Sequence, residues 1–130
     1  MGFYWQTILC YGFYVSGSLD VDIPEDWLLK DNKGTIIFVP KTKYLVNTID
    51  QIIEEDEVKK GYVEMKEVKR ALKINEDYFS VDISDQIKLN ELATHFKINT
   101  DNINIWIIEY CWSTLDNDCS LSLTKKLKVT

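Results

Sequence analysis

The chain has 130 residues, 45% hydrophobic and 12% aromatic, enough for one core that buries roughly two thirds of the unfolded chain's surface and too few for two. Its formal charge of −6 opposes sequence-independent attraction to nucleic acid or an anionic membrane, because those polyanions are held by clustered cations. Arg70 is the single arginine beside fourteen lysines, so the planar fork that grips phosphate and guanine is nearly missing and no nucleic-acid partner is expected.

The N-terminal "MGFYWQTILCYGFYV" has no basic leader region and carries Gln6 and six aromatics where a signal peptide wants Leu and Ala. No run of eighteen apolar residues occurs, so no membrane-spanning helix is expected. From Phe3 to Val15 aromatic and β-branched residues dominate, and Ser16, Gly17 and Ser18 close the segment, which predicts a first strand. "DIPEDWLLK" predicts a short helical turn, with Asp22 near its cap, Pro24 early, and Glu25 and Asp26 facing the positive end of the dipole. Thr35 to Pro40 reads as a short strand stopped by its proline.

Beyond Pro40, Leu45, Ile49, Ile52 and Ile53 fall at i, i+4, i+7 and i+8 and predict a helix. Its end is acidic, Glu54, Glu55, Asp56 and Glu57, the wrong sign for a helix C-terminus, and Gly61 closes it.

Residues 63–83 and 87–107 align at a shift of 24 with six identities, including "KIN" and the Asp two residues after it in both copies. Each copy begins with helical spacing and continues with alternation, so each reads as helix, Asn/Asp turn, strand. The element order that follows is a strand from Tyr78 to Ile83, a helix from Ser84 to Lys97 capped by Ser84 or Asp85, and a strand from Asn102 to Trp112, a βαβ-like unit. The stretch "INIWIIEYCW" is apolar on both faces, as a central strand covered on both sides would be. "SLSLTKKLKV" alternates Leu121, Leu123, Leu127 and Val129 with polar residues and predicts a last strand, near a lysine-guarded edge.

The residues that could carry chemistry are few. Cys10, His95, Cys111 and Cys119 lack knuckle spacing, His95 is the only histidine, and three cysteines are an odd set, so no metal and no cofactor are expected and free thiols in a reducing cytoplasmic compartment are. "YVEMK" places Glu64 and Lys66 as the carboxylate-x-lysine core of metal-dependent nucleases, which need a further Asp such as Asp20, Asp22 or Asp56. Leu92, Ala93, Phe96, Ile98, Ile103 and Trp106 sit near the apolar positions of a helix-turn-helix, yet the second helix would be β-branched and acidic, and a strand fits better. Glycine-rich phosphate loops and a nucleophile elbow are missing.

The expected architecture is therefore α/β or α+β: one compact domain over residues 1–130, with a mixed sheet of four to six strands and about three helices. The core is expected to hold Ile49, Val81, Leu92, Phe96, Ile105 and Ile107. The expected role is non-catalytic, a small acidic protein that binds another protein, with a basic partner meeting Glu54, Glu55, Asp56 and Glu57, and with Trp27 and Trp112 as exposed anchors. The alternative is a divergent metal-dependent nuclease using Glu64 and Lys66. Fifteen Ile, eight Asn and two Ala are what the AT-rich genome of a phage, a virus or an AT-rich microbe imposes, and for a phage- or virus-encoded chain the expected partner is a host protein.

Overall fold

Fifteen residues in which aromatic and β-branched side chains dominate form one long strand, β1 (Gly2–Ser16), and the rest of the sheet is built on its two edges. The computed structural model describes residues 2–17, 19–30, 33–46, 60–73, 80–115 and 118–130, with residues 2–4, 112–115 and 118–125 described by backbone alone. Along one edge β1 pairs antiparallel with β6 (Asn104–Leu115), from Gly2 opposite Thr114 to Gly12 opposite Asn104. Along the other it pairs with β3 (Gly34–Phe38) through Gly12 to Ser16 and with β4 (Tyr44–Val46) through Thr7 to Leu9. Outside β3 lies β2 (Leu28–Lys30), and outside β6 lie β7 (Asp118–Val129) and then β5 (Tyr62–Val63), which is parallel to β7.

The result is an α+β domain with a seven-stranded mixed sheet and, among the described residues, two α-helices: α1 (Met65–Leu72) and α2 (Ile83–His95). The strand count exceeds the expected four to six because β2, β4 and β5 span only two or three residues, too few for any periodicity to be read.

Opposed residues on neighbouring strands point to the same side, so the register sorts the core by face. Leu9, Ile107, Leu127, Val129 and Val63 pack together with Val68 of α1. Phe13, Val15, Ile37, Val39 and Ile103 pack with Trp27 and with Leu89 and Ala93 of α2. The opposite face buries Ile8, Cys10, Ile36, Phe38, Ile108 and Tyr110. Ile107 and Ile108, adjacent in β6 and fully buried on opposite faces, make β6 the central strand that its unbroken apolar run predicts. Gln6 also finds a place in the fold, since the Tyr110 hydroxyl donates to its Oε1.

Where β3 leaves β1 and β4 takes over, the chain makes a 3-10 turn at Pro40–Thr42. Buried Thr42 fills the gap in the ladder, accepting the N–H of Tyr11 at 3.0 Å and donating to the Val39 carbonyl at 2.6 Å. Gly12 is fixed by close approach, because a Cβ there would fall on the Ile37 carbonyl and within 2.7 Å of Phe38 Cα.

Several expectations are corrected. Leu45 lies in β4 opposite Ile8 and is 55% exposed, so the helix predicted from Leu45 does not begin there; Ile49, Ile52 and Ile53 fall outside the described residues. Its i, i+4 spacing with Ile49 imitated a helix, whereas the backbone of Tyr44–Val46 is claimed by the open edge of β1. Residues 80–82 belong to no strand and Ile83 opens α2, so the expected strand ending at Ile83 is not formed there; Tyr78 falls outside the described residues. β6 therefore runs antiparallel to both neighbours and closes no βαβ unit. The N-cap of α2 is Asp82, ahead of Ser84 and Asp85.

Of the predicted core, Ile107 is fully buried, while Val81, Leu92, Phe96 and Ile105 are half-buried residues packed against the clusters. The register of β7 slips between Glu109 and Tyr110, so Lys125 opposes Glu109 and Leu123 opposes Tyr110. The alternation read across Leu121, Leu123, Leu127 and Val129 is thus interrupted in the ladder between Leu123 and Lys125.

The 24-residue similarity has a structural counterpart in the helix stops. Lys73 and Lys97, the lysines of the two "KIN" matches, both adopt left-handed backbone, with φ of 56° and 58°. The matched lysines thus share a backbone conformation at a helix end, Lys73 at the C-cap of α1 and Lys97 one residue past the C-cap of α2.

Candidate functional site

Two regions bring together side chains that the fold does not account for, and both lie beside α2 or at the sheet end near it. Leu89 and Ala93 turn the buried stripe of α2 toward the sheet, with Leu92 and Phe96 at its margin. On the opposite side of the same helix Ile83 is 80% exposed and Ile87, one turn on, is 53% exposed. Glu91 continues this outward line at the next turn and Asp82 precedes it, both exposed, so the isoleucine pair is flanked by carboxylates. Asp82 is held by Lys41, with Nζ 2.8 Å from Oδ2, and Asp85 lies 3.9 Å from the same ammonium. The hydrogen bond to Asp82, and then the two carboxylate charges, raise the Lys41 pKa above its ordinary value.

The far end of α2 is tied down as well. His95 Nε2 lies 2.9 Å from Asp20 Oδ1, and this hydrogen bond holds the Asp20 carboxyl below its ordinary value. The exposed face of α2 is therefore presented on a helix fixed at both ends.

The second region is a groove of about 280 Å³ where β1, β6 and β7 meet beyond Gly12, with Tyr14, Trp106 and Lys126 among its walls. The Trp106 indole N–H donates to the Gly12 carbonyl at 2.9 Å, and the Lys126 ammonium lies 3.3 Å from the centroid of the Tyr14 ring. Asn102 and Asn104, which precede Trp106 at alternate positions, also line it.

The residues predicted from sequence fare differently. Trp27, expected as an exposed anchor, is 7% exposed within the cluster under α2, with the Lys88 ammonium 4.7 Å above its ring. The 3-10 turn Glu25–Trp27 rolls it inward against β3, where its large apolar surface is buried. Glu54, Glu55, Asp56 and Glu57 lie outside the described residues, as does the side chain of Trp112, whose backbone sits in β6 opposite Tyr4.

Glu64 and Lys66 are at the start of α1, with Glu64 at the N-cap and Lys66 in the first turn, and they pair with each other at 3.1 Å. The sequence places them there because β5 ends at Val63 and the Met65 N–H is taken by the Thr130 carbonyl. A shallow groove of about 300 Å³ includes both, together with Glu67 and Lys60.

Cys10 and Cys111 are separated by the sheet. Cys10 opposes Trp106 on one face, while Cys111 opposes Trp5 on the other, about five residues or 17 Å further along β6. Both are free thiols, and burial pushes the Cys10 thiol far above its usual range. Among the described residues no three His, Cys, Asp or Glu gather as metal ligands, and no helix is long and apolar enough to cross a membrane.

Comparison with protein-family models gives no match, and searches of curated proteins and of solved structures return no similar protein. The chemistry of the two surface regions has to be read from their own residues.

Proposed function

We propose that the chain is a non-catalytic binding protein that works through protein–protein contact, with the outward face of α2 as its docking surface. The observation that carries this reading is the exposed pair Ile83 and Ile87, stacked at i, i+4 on a helix whose other face is already packed. A fold gains nothing from leaving two β-branched apolar side chains in water, whereas burying each against a partner is worth about 1.5 to 3 kcal/mol. The flanking Glu91 adds negative charge, while Asp82 is already shared with Lys41, so the fitting partner is a protein with an apolar groove carrying Lys or Arg on the Glu91 side. The acidic run Glu54, Glu55, Asp56 and Glu57 has the sign that suits the same basic partner. The AT-rich bias suits a phage, a virus or an AT-rich microbe, with a host protein as target for a phage- or virus-encoded chain, and the sparse, odd set of three cysteines suits a reducing cytoplasmic setting.

A photo-reactive residue at Ile87, with one at exposed Lys73 as control, tests the surface in extracts of the native host. The expected result is a cross-link at position 87 to a second protein through a basic, apolar segment, weakened by high salt and abolished by Ile83→Asp. The reading fails if positions 87 and 73 capture the same proteins, or if Ile83→Asp leaves capture unchanged. A product of two copies of this chain would replace the foreign partner by self-association.

A further inference from the structure

The groove at the sheet end is independent of the α2 surface, since neither Ile83 nor Ile87 lines it. Its geometry follows from register. Trp106 opposes Cys10 on β1 and Lys128 on β7, and Lys126 opposes Ile108, so Trp106, Lys126 and Lys128 share one face of the sheet. Tyr14, four residues on from Cys10 in β1, is on that face too.

The Trp106 ring is oriented by its bond to the Gly12 carbonyl and is not free to rotate away. The Lys126 ammonium sits between two rings, 3.3 Å from the Tyr14 centroid and 5.9 Å from that of Trp106. Phe13 and Ile98 add apolar lining, and Asn102 and Asn104 border the groove, with the Asn104 amide donating to the Asp101 carbonyl at 3.4 Å. Two lysines and no carboxylate are found among the described lining residues, in a chain whose net charge is −6. Among the described residues the groove thus places two ammonium groups beside the fixed Trp106 ring, one of them seated on the Tyr14 ring.

Each component points to one part of a ligand. Ammonium groups hold an anion, aromatic faces stack on a planar ring, and side-chain amides read the edge of a heterocycle. A volume of about 280 Å³ sits at the small end of ligand sites. We propose that this groove binds a small anion carrying a planar heterocycle, of the chemical class of a nucleoside monophosphate. A free nucleotide is the committed occupant, because the overall negative charge repels a longer polyanion.

The test follows the Trp106 indole N–H resonance of the full chain, assigned with Trp106→Phe, during titration with AMP and with UMP. Inorganic phosphate, adenosine and a single-stranded oligonucleotide serve as comparisons. The expected result is a saturable shift with a mononucleotide, and binding about tenfold weaker in Lys128→Gln and in Lys126→Gln. Both variants should keep the remaining spectrum, which shows that they fold. No shift at millimolar nucleotide overturns the proposal, as does equal binding in both lysine variants. A response to phosphate equal to that for nucleotide also overturns it, because the rings would then contribute nothing. Tighter binding of the oligonucleotide than its count of nucleotides explains would assign the groove to a single strand and overturn the free nucleotide.

Discussion

Thr42 Oγ1 stands in for a missing strand, accepting the Tyr11 N–H at 3.0 Å while donating to the Val39 carbonyl. One hydroxyl satisfies a backbone donor and a backbone acceptor at the point where β1 changes partners, and it does so out of contact with solvent. Thr42→Val keeps the shape and removes both bonds, leaving the part-buried Tyr11 N–H unpaired. The expected loss is about 1 to 3 kcal/mol in urea unfolding, with Thr42→Ser much closer to the native protein. Equal midpoints for Thr42→Val and the native chain would show that the ladder closes without the hydroxyl.

Gly12→Ala should be worse than its single added carbon suggests. The new methyl meets backbone, not a side chain that can move away, so β1 and β3 must separate at the centre of the sheet. A loss of about 3 kcal/mol is expected, at the upper end of overpacking costs. The Trp106 indole resonance should move as well, because its acceptor is the carbonyl of the same residue.

Lys73 and Lys97 hold left-handed backbone that disfavours any residue with a Cβ. Lys73→Gly and Lys97→Gly should each stabilise the fold by about 1 kcal/mol. Thermal unfolding of the two variants checks this, and a fall in melting temperature for both would mean that the lysine side chains carry contacts worth more than the strain.

The contact between Asp20 and His95 predicts a specific pH dependence. Its hydrogen bond, helped by the histidine charge, depresses the Asp20 carboxyl. A group depressed in the folded state contributes stability above its unfolded pKa and loses it as pH falls through the folded value, here below about 4. His95→Gln should therefore raise the Asp20 titration midpoint measured by NMR. The stability difference between His95→Gln and the native chain should shrink as the pH drops through that range. A midpoint unchanged by the substitution would remove the linkage.

Cys10 should be inert in the native protein at neutral pH, since burial keeps its thiol protonated and Lys43 offsets this only in part. Thiol titration should count three per chain after unfolding without reductant and should miss Cys10 before it. Native reactivity of Cys10 would mean that the Ile8 to Phe38 face opens readily.

Long features were legible in sequence and short or convergent ones were not. Phe3 to Val15 and "INIWIIEYCW" announce β1 and β6 because aromatic and β-branched residues continue for ten residues or more. Leu45 misled because three strand residues carry no period of their own, and the neighbouring isoleucines lent it a helical one. The place of Trp27 at a segment end suggests exposure, whereas burial depends on which way a 3-10 turn rolls.

Ile83 and Ile87 were visible as apolar residues, and only the placement of Leu89 and Ala93 against the sheet shows that the first pair faces out. The groove draws on Tyr14, Trp106 and Lys126, remote segments joined by strand register. Its one local signal is the alternation of Asn102, Asn104 and Trp106.

The pairing of β1 with β6 joins residues 2–12 to residues 104–114. As the chain is synthesised, β1 emerges as a long apolar strand whose central partner is still about a hundred residues away. At translation speeds near 5 to 20 residues per second that interval is about 5 to 20 s. During it, both edges of β1 are open to mispairing, and only β3 and β4 come early enough to cover one of them. Assembly of the sheet therefore waits on the last quarter of the chain, and truncation before residue 104 should yield aggregates, not a smaller folded domain.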